Sequence, residues 1–437
     1  MAIPTPSFME TIVVALFLTL FLLEFLVEFA LNELNLSHVR QESVRRAGPG
    51  PFDGWATPEV YRGSVEYTLA KGTFRRWESI YDGLVVLWVL FGGVLPYLDR
   101  LTQTAGGFFS PGAHATGIFF CFGVAAIFSV LGLPGELYVT FVIEERFGFN
   151  KTTLRLFFTD KLKALMLGFV IGIPFLFGLL WLMDRAGAYW WLWAFLFIFA
   201  FQFLMVIVYP TLIAPLFNKF EPLPEGEIRQ RIFALAGELG FKAGGIYTMD
   251  GSRRSAHSNA YFTGLGKAKR IVLFDPLLKQ LTIEQGLAVL AHEMGHYKMR
   301  HIRRMMIVRG VLLLAGLYIL SLLLNYTPLF RAFGLAEPSY HGALVLFSLV
   351  SGPATFYLRP LMNFLSRRHE YEADLFAART LKDAKPMEGA LIQLAVENLA
   401  NLAPHPWYSA YHYSHPTPVE RIQAIREAAD REALRPP

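Results

Sequence analysis

Long, nearly continuous apolar runs recur along the chain. Seven of them approach the roughly 20 residues that about 30 Å of hydrocarbon requires. They lie near 8–30, 79–98, 117–139, 163–183, 189–213, 305–326 and 341–362, and each predicts a membrane-crossing helix. Only 214–304 and 363–437 read like soluble protein. The expected division is therefore 1–213 for the first five spans and their connections, 214–304 for a first soluble segment, 305–362 for spans six and seven, and 363–437 for a second soluble segment. The two soluble segments carry nearly all the candidate chemistry and should form one composite domain. The first apolar run follows a start without Lys or Arg, continues towards Glu24 and Glu28, and meets no small-x-small cleavage site, so it reads as a retained span.

Basic residues are unevenly shared between the connections. Arg40, Arg45, Arg46, Arg62, Lys71, Arg75 and Arg76 follow the first run, and Arg146, Lys151, Arg155, Lys161 and Lys163 follow the third. The connections after runs two, four and six hold one each, Arg100, Arg185 and Arg331. The positive-inside rule then sets the N-terminus outside and both soluble segments in the cytoplasm.

Within the first soluble segment, closely spaced prolines in 215-PLFNKFEPLPEGE-227 mark the exit from the membrane. A helix at about 225–239 ends at Gly240. Strand-like runs follow at 244–250, 257–266 and 269–275, the last two joined as a hairpin by Gly264-Leu265-Gly266-Lys267. Thr282 with Gln285 three residues on predicts a capping box that opens the next helix. The tail beyond about Ala428 is expected to fray.

Composition agrees with the membrane reading, since only 17% of the 437 residues are charged and 54% are hydrophobic. The formal charge of +5 is accounted for by the cytoplasmic connections, which removes the reason to expect nucleic acid as a partner. A lone cysteine, Cys121, excludes a disulfide framework or a cysteine-based metal site within one chain.

The helix opened by Thr282 carries His292-Glu293-Met294-Gly295-His296. Four residues apart, His292 and His296 share a face and can offer two imidazoles to one metal, with Glu293 beside them as a base for water. Such a zinc site keeps one position open and needs a third ligand. A third His six residues after the second is missing, because Ile302 stands there. The ligand must come from elsewhere, and 367-RRHEYEADLFAART-380 offers Glu370 and Asp374 on one helical face with Glu372 turned away. One carboxylate can bind the metal while the other orients a ligating His; a solvated helix face would give the same pattern. The motif helix is apolar before His292 and basic after His296, which places it at a membrane boundary. Gly295 would let another element approach closely.

The chain resembles the CAAX prenyl protease 1 family of integral-membrane zinc metalloproteases. The resemblance rests on 133-LPGELYVTFVIEERFGFNKTT-153, 213-IAPLFNKFEPLPEGE-227, 258-SNAYFTGLGKAKRIVLFDPLL-278, the HExxH helix, 370-EYEAD-374 and 414-SHPTPVERI-422. It implies a mainly α, polytopic protein: seven transmembrane helices around a water-filled chamber, capped by a small α+β metalloprotease domain on the cytoplasmic side. It implies one Zn2+ per chain held by His292, His296 and Glu370, with Glu293 as general base and Asp374 supporting a ligand. Asn259 would hold the substrate backbone beside an edge strand, and His415 would stabilise the oxyanion with Arg421 in support on the substrate side. The implied partners are the lipid bilayer and a peptide or protein substrate, membrane-associated or prenylated.

Compact loops predict a bacterial source and an inner-membrane location, where prenylated proteins are not expected. Turnover of membrane or misfolded proteins is therefore the other reading of substrate. Two rivals stand beside this function: an intramembrane protease of the site-2 type, whose motif would lie inside an apolar span, and a transporter or scaffold with a structural zinc. His257, His405 and His412 are expected in surface or packing roles, and His38, His114 and His341 carry no assignment.

Overall fold

The computed structural model describes residues 6–45, 54–109, 112–241, 244–263 and 270–433. The N-terminal half is helical: α1 (Phe8–Arg45), α2 (Pro58–Phe91), α3 (Val94–Phe109), α4 (Ala113–Tyr138), α5 (Leu154–Arg185) and α6 (Trp190–Val208). π-helical turns at Val139–Glu144 and Tyr209–Ile213 extend α4 and α6, the latter into the short α7 (Ala214–Phe217). The soluble part then runs β1 (Phe220–Pro222), α8 (Glu227–Glu238), β2 (Gly245–Met249), β3 (Ala260–Thr263), β4 (Arg270–Phe274), α9 (Asp275–Gln280) and α10 (Ile283–Lys298). After it come α11 (His301–Leu323), α12 (Thr327–Ala332), α13 (Tyr340–Thr355), α14 (Arg359–Leu381), α15 (Lys385–Glu397), α16 (Pro406–His412) and α17 (Pro418–Ala433).

Among the described residues six helices are long and apolar enough to cross a membrane, or seven if α2 and α3, bent by 54°, count as one span. This bend corrects the predicted second span at 79–98. The helix breaks at Gly92-Gly93, with Gly93 at φ +78, a conformation open to glycine without a Cβ clash. The apolar run continues through the pair and hides it. The first span is also longer than predicted: at 38 residues α1 is about 57 Å long, well beyond the hydrocarbon thickness. Its polar end docks on the second soluble segment, where Asn35 Oδ1 accepts from the backbone N of His405 at 3.0 Å. α2 does the same through Ser64, whose hydroxyl donates to the carbonyl of Ala400 at 2.8 Å. The C-terminal tail, expected to fray from about Ala428, stays helical to Ala433.

The membrane bundle packs around Leu90, Leu95, Phe120, Leu180, Phe330 and Leu346, all fully or almost fully buried. A cavity of about 920 Å³ lies among α1, α2, α13 and the second soluble segment. Phe21, Phe25 and Phe29 line it together with Glu24, Arg75, Asp82 and Asn398. His257 reaches its wall, whereas His292, Glu293, His296 and Glu370 lie outside it.

The sheet has the order β1-β2-β4-β3, which leaves β3 at an edge. β3 and β4 pair antiparallel with Ala260 opposite Leu273, as a hairpin requires, although the predicted Gly264-Leu265-Gly266-Lys267 turn lies outside the described residues. β1, not foreseen among the exit prolines, pairs antiparallel with β2 and ties the sheet to the end of the fifth span. One core unites the two soluble segments: Ile232, Ile271 and Leu290 of the first pack with Ala377, Met387, Ile422 and Ile425 of the second. Within it α10 lies against α14, with Gly295 at a tight contact. A Cβ there would sit 3.0 Å from Phe376 Cδ1 and 3.3 Å from the Cα of Ala373.

Gly295→Val should therefore force α10 off α14. The expected cost is about 1–3 kcal/mol, read from denaturation of the detergent-solubilised protein, because a backbone atom cannot move aside as a side chain can.

Candidate metal centre

Three features of α10 and α14 assemble the site. Thr282 and Gln285 form the expected capping box, which fixes where α10 begins. The four-residue spacing then stacks His292 and His296 on the face turned to α14. There Glu370 and Asp374, 3% and 1% exposed, face them.

His292 Nε2 lies 3.1 Å from His296 Nε2 and 3.5 Å from Glu370 Oε2, and His296 Nε2 lies 3.3 Å from Glu370 Oε1. Tetrahedral zinc with bonds of about 2.0–2.1 Å separates its ligand atoms by about 3.3 Å, and these three side chains stand close to that spacing, with ligand atoms all within 4.8 Å of one another. A second observation agrees: Glu370 Oε2 is buried without a hydrogen-bond partner among the described residues. His415 Nδ1 stands 2.8 Å from it but outside hydrogen-bond geometry. A buried carboxylate oxygen left in this way suits a cation.

Around the triad, Asp374 Oδ1 is 2.8 Å from His292 Nδ1. Arg421, only 12% exposed, grips the same carboxylate with Nη2 at 2.6 Å from Oδ1 and Nε at 2.8 Å from Oδ2. The ion pair keeps Asp374 charged where burial alone would neutralise it. Burial favours the neutral ring of His292, yet the Asp374 and Glu370 carboxylates hold its proton and raise it to about 9. Burial also pushes the Glu293 carboxyl above the ordinary carboxylate value, with His292 and His296 pulling the other way. Glu293 follows His292 on the same helix.

Seven of the eight residues singled out in the sequence thus converge: His292, Glu293, His296, Glu370, Asp374, His415 and Arg421. Asn259 does not join them. It is exposed just ahead of edge strand β3, with its Oδ1 accepting from the backbone N of Ala260 at 2.8 Å and its carbonyl accepting from Phe274 N at 3.0 Å. Two histidines given no site role in the sequence are embedded in networks. His257 pairs through Nδ1 with Asn398 Oδ1 at 2.7 Å and through Nε2 with Glu144 Oε2 at 3.4 Å, Glu144 being the last residue of the first π-turn. His301 lies against His296 itself, with the two Nδ1 atoms 3.0 Å apart. No helical spacing advertises that contact, because a left-handed residue, Arg300 at φ 60, separates the two rings in the chain.

Residues 36–219 match the family described as CAAX prenyl protease N-terminal, five membrane helices, and residues 222–429 match peptidase family M48. The chain is 37% identical over 429 residues to a CAAX prenyl protease 1 homolog of Arabidopsis thaliana, covering 97% of this chain and 98% of that protein. It is 36% identical over 413 residues to the Homo sapiens homolog, covering 84% and 86%. The crystal structure of S. mikatae Ste24p superposes with a TM-score of 0.86 at 32% identity, covering 97% of this chain and 99% of that one.

Metal must displace the His292 proton, so apparent metal affinity should rise with pH up to about 9 and then level off. Chelator competition across pH measures this. Asp374→Ala should weaken metal binding by about 10- to 100-fold in the same assay, because the His292 ring loses its anchor.

Proposed function

The chain belongs to peptidase family M48, as a multi-pass membrane member of the CAAX prenyl protease group, and on that premise we propose that it is a zinc endopeptidase. The observation that carries this is the His292, His296 and Glu370 triad at zinc spacing, with the half-buried carboxylate of Glu293 next to it. His292, His296 and Glu370 hold the ion. Bound there, zinc supplies Lewis-acid polarisation of a carbonyl and lowers the pKa of a water to about 7.

The chain's own residues do the rest. Edge strand β3, with Asn259 at its start, takes an extended peptide by main-chain pairing, the geometry that presents one peptide bond at a fixed place. Glu293 removes a proton from the attacking water and returns it to the departing amine. Its raised pKa suits both halves of that exchange, since a very weak base would hold the proton poorly. His415, the more exposed partner of Glu370, is placed to donate to the oxyanion as it forms, and Arg421 supports the site through Asp374.

The substrates this supports best are C-terminal CAAX-type peptides. The curated relatives carry that name. Quality-control turnover of membrane proteins uses the same chemistry, and a comparison of membrane proteomes with active and inactive enzyme separates the two. The soluble segments 214–304 and 363–437 act as one protease domain on the cytoplasmic side of the membrane, with the N-terminus outside. The unequal sharing of Lys and Arg between connections supports that orientation.

Glu293→Gln should keep one zinc per chain while peptide cleavage falls by about 10²- to 10⁴-fold. A fully active Glu293→Gln protein would sink the mechanism. A zinc-replete wild type inert towards every peptide would support the transporter or scaffold reading instead. His415→Ala should lower kcat by about 10²- to 10³-fold with KM little changed. Asn259→Ala should act mainly on KM.

A further inference from the structure

His301 has no part in the chemistry above, yet its ring is 2% exposed and touches a metal ligand. Its Nδ1 lies 3.0 Å from Nδ1 of His296, and its Nε2 lies 3.0 Å from Oε2 of Glu372. His369 stacks on the ring at 4.1 Å and 12°, which fixes its plane. Glu372 is held in turn by Arg368 Nε at 3.1 Å and Arg304 Nη1 at 3.4 Å. The carboxylate that looked turned away from the site in sequence is thus joined to it through one imidazole.

The backbone is bent to make this contact. On an unbroken helix a residue five positions after His296 would point about 140° away from it. Arg300, at φ 60 and ψ 31, breaks the helix in a left-handed conformation that L-residues avoid, and α11 restarts with His301 returned beneath His296.

We infer that His301 and Glu372 are positioning residues that fix the ring orientation and tautomer of the metal ligand His296. The inference rests on the reading of His292, His296 and Glu370 as the zinc site. His296 turns Nε2 to the other two ligands, so Nε2 is the atom that holds the ion. A neutral imidazole carries one proton, which must then sit on Nδ1 of His296. Two Nδ1 atoms 3.0 Å apart share one proton, so His296 donates and His301 accepts. His301 therefore carries its own proton on Nε2 and donates it to Glu372, which can only accept. Each polar atom along the row has one role, and no other assignment satisfies all of them. His292 reaches its carboxylate, Asp374, directly, whereas His296 reaches Glu372 through an intervening ring.

Zinc affinity, measured by chelator competition on the full-length protein in detergent, separates this role from simple packing. An asparagine carboxamide can place an acceptor oxygen near the position of His301 Nδ1 but does not extend to Glu372. Phenylalanine fills the volume and keeps the stack on His369 but accepts nothing. His301→Phe should lower zinc affinity by about 10- to 100-fold, and His301→Asn should recover most of that loss. Glu372→Ala should weaken zinc binding in the wild type and have no further effect in His301→Asn, because the two act in series. Equal affinity for His301→Phe and wild type would overturn the inference. So would equal losses for His301→Phe and His301→Asn, or a Glu372→Ala effect that persists undiminished in His301→Asn. If the wild type binds no zinc, or binds it undiminished in His296→Ala, the zinc-site reading itself has failed, and that result is distinct from all of these.

Discussion

The site depends on the close contact of α10 with α14 at Gly295. Two helices can approach until backbone meets side-chain base only where one of them lacks a Cβ, and here Gly295 lies against Ala373. That approach buries Glu370 and Asp374 away from water, where an unpaired charge would cost several kcal/mol. The same approach brings His292 onto the carboxylates it buries, and α17 completes the compensation with Arg421. Packing and electrostatics are therefore one constraint, and the metal triad is its outcome.

A second constraint is the division of the soluble core between distant parts of the chain. Ile271 and Leu290 precede two membrane helices, and Ile422 and Ile425 follow them, yet all share one apolar interior. Each segment thus completes the core of the other across the two membrane helices between them. The polar ends of α1 and α2 contribute from the other side, through Asn35 and Ser64, which bond to the backbone of the second segment.

Much of this was legible in the sequence because it follows fixed periods. The i, i+4 spacing put His292 with His296 and Glu370 with Asp374, and Thr282 with Gln285 announced the start of the motif helix. The elements that escaped lack a period. The bend at Gly92-Gly93 interrupts an apolar run without changing its hydropathy, so it is invisible to any reading by apolarity. β1 is three residues among prolines and exists only because β2 is there to pair with it. His301 escaped because the turn that returns it to His296 is made by an arginine, a residue with no preference for that turn. Asn259 was legible only by family likeness, since its side chain accepts from the backbone N of the next residue, Ala260.

The soluble part hangs from the membrane bundle at both ends of its first segment. β1 follows within a few residues of the end of the fifth span, and only Met299 and Arg300 lie between the end of α10 and the start of α11. Neither joint has slack. The helices that carry His292 and Glu370 are consequently joined to the membrane helices without a flexible linker, so the bundle sets where the metal triad stands.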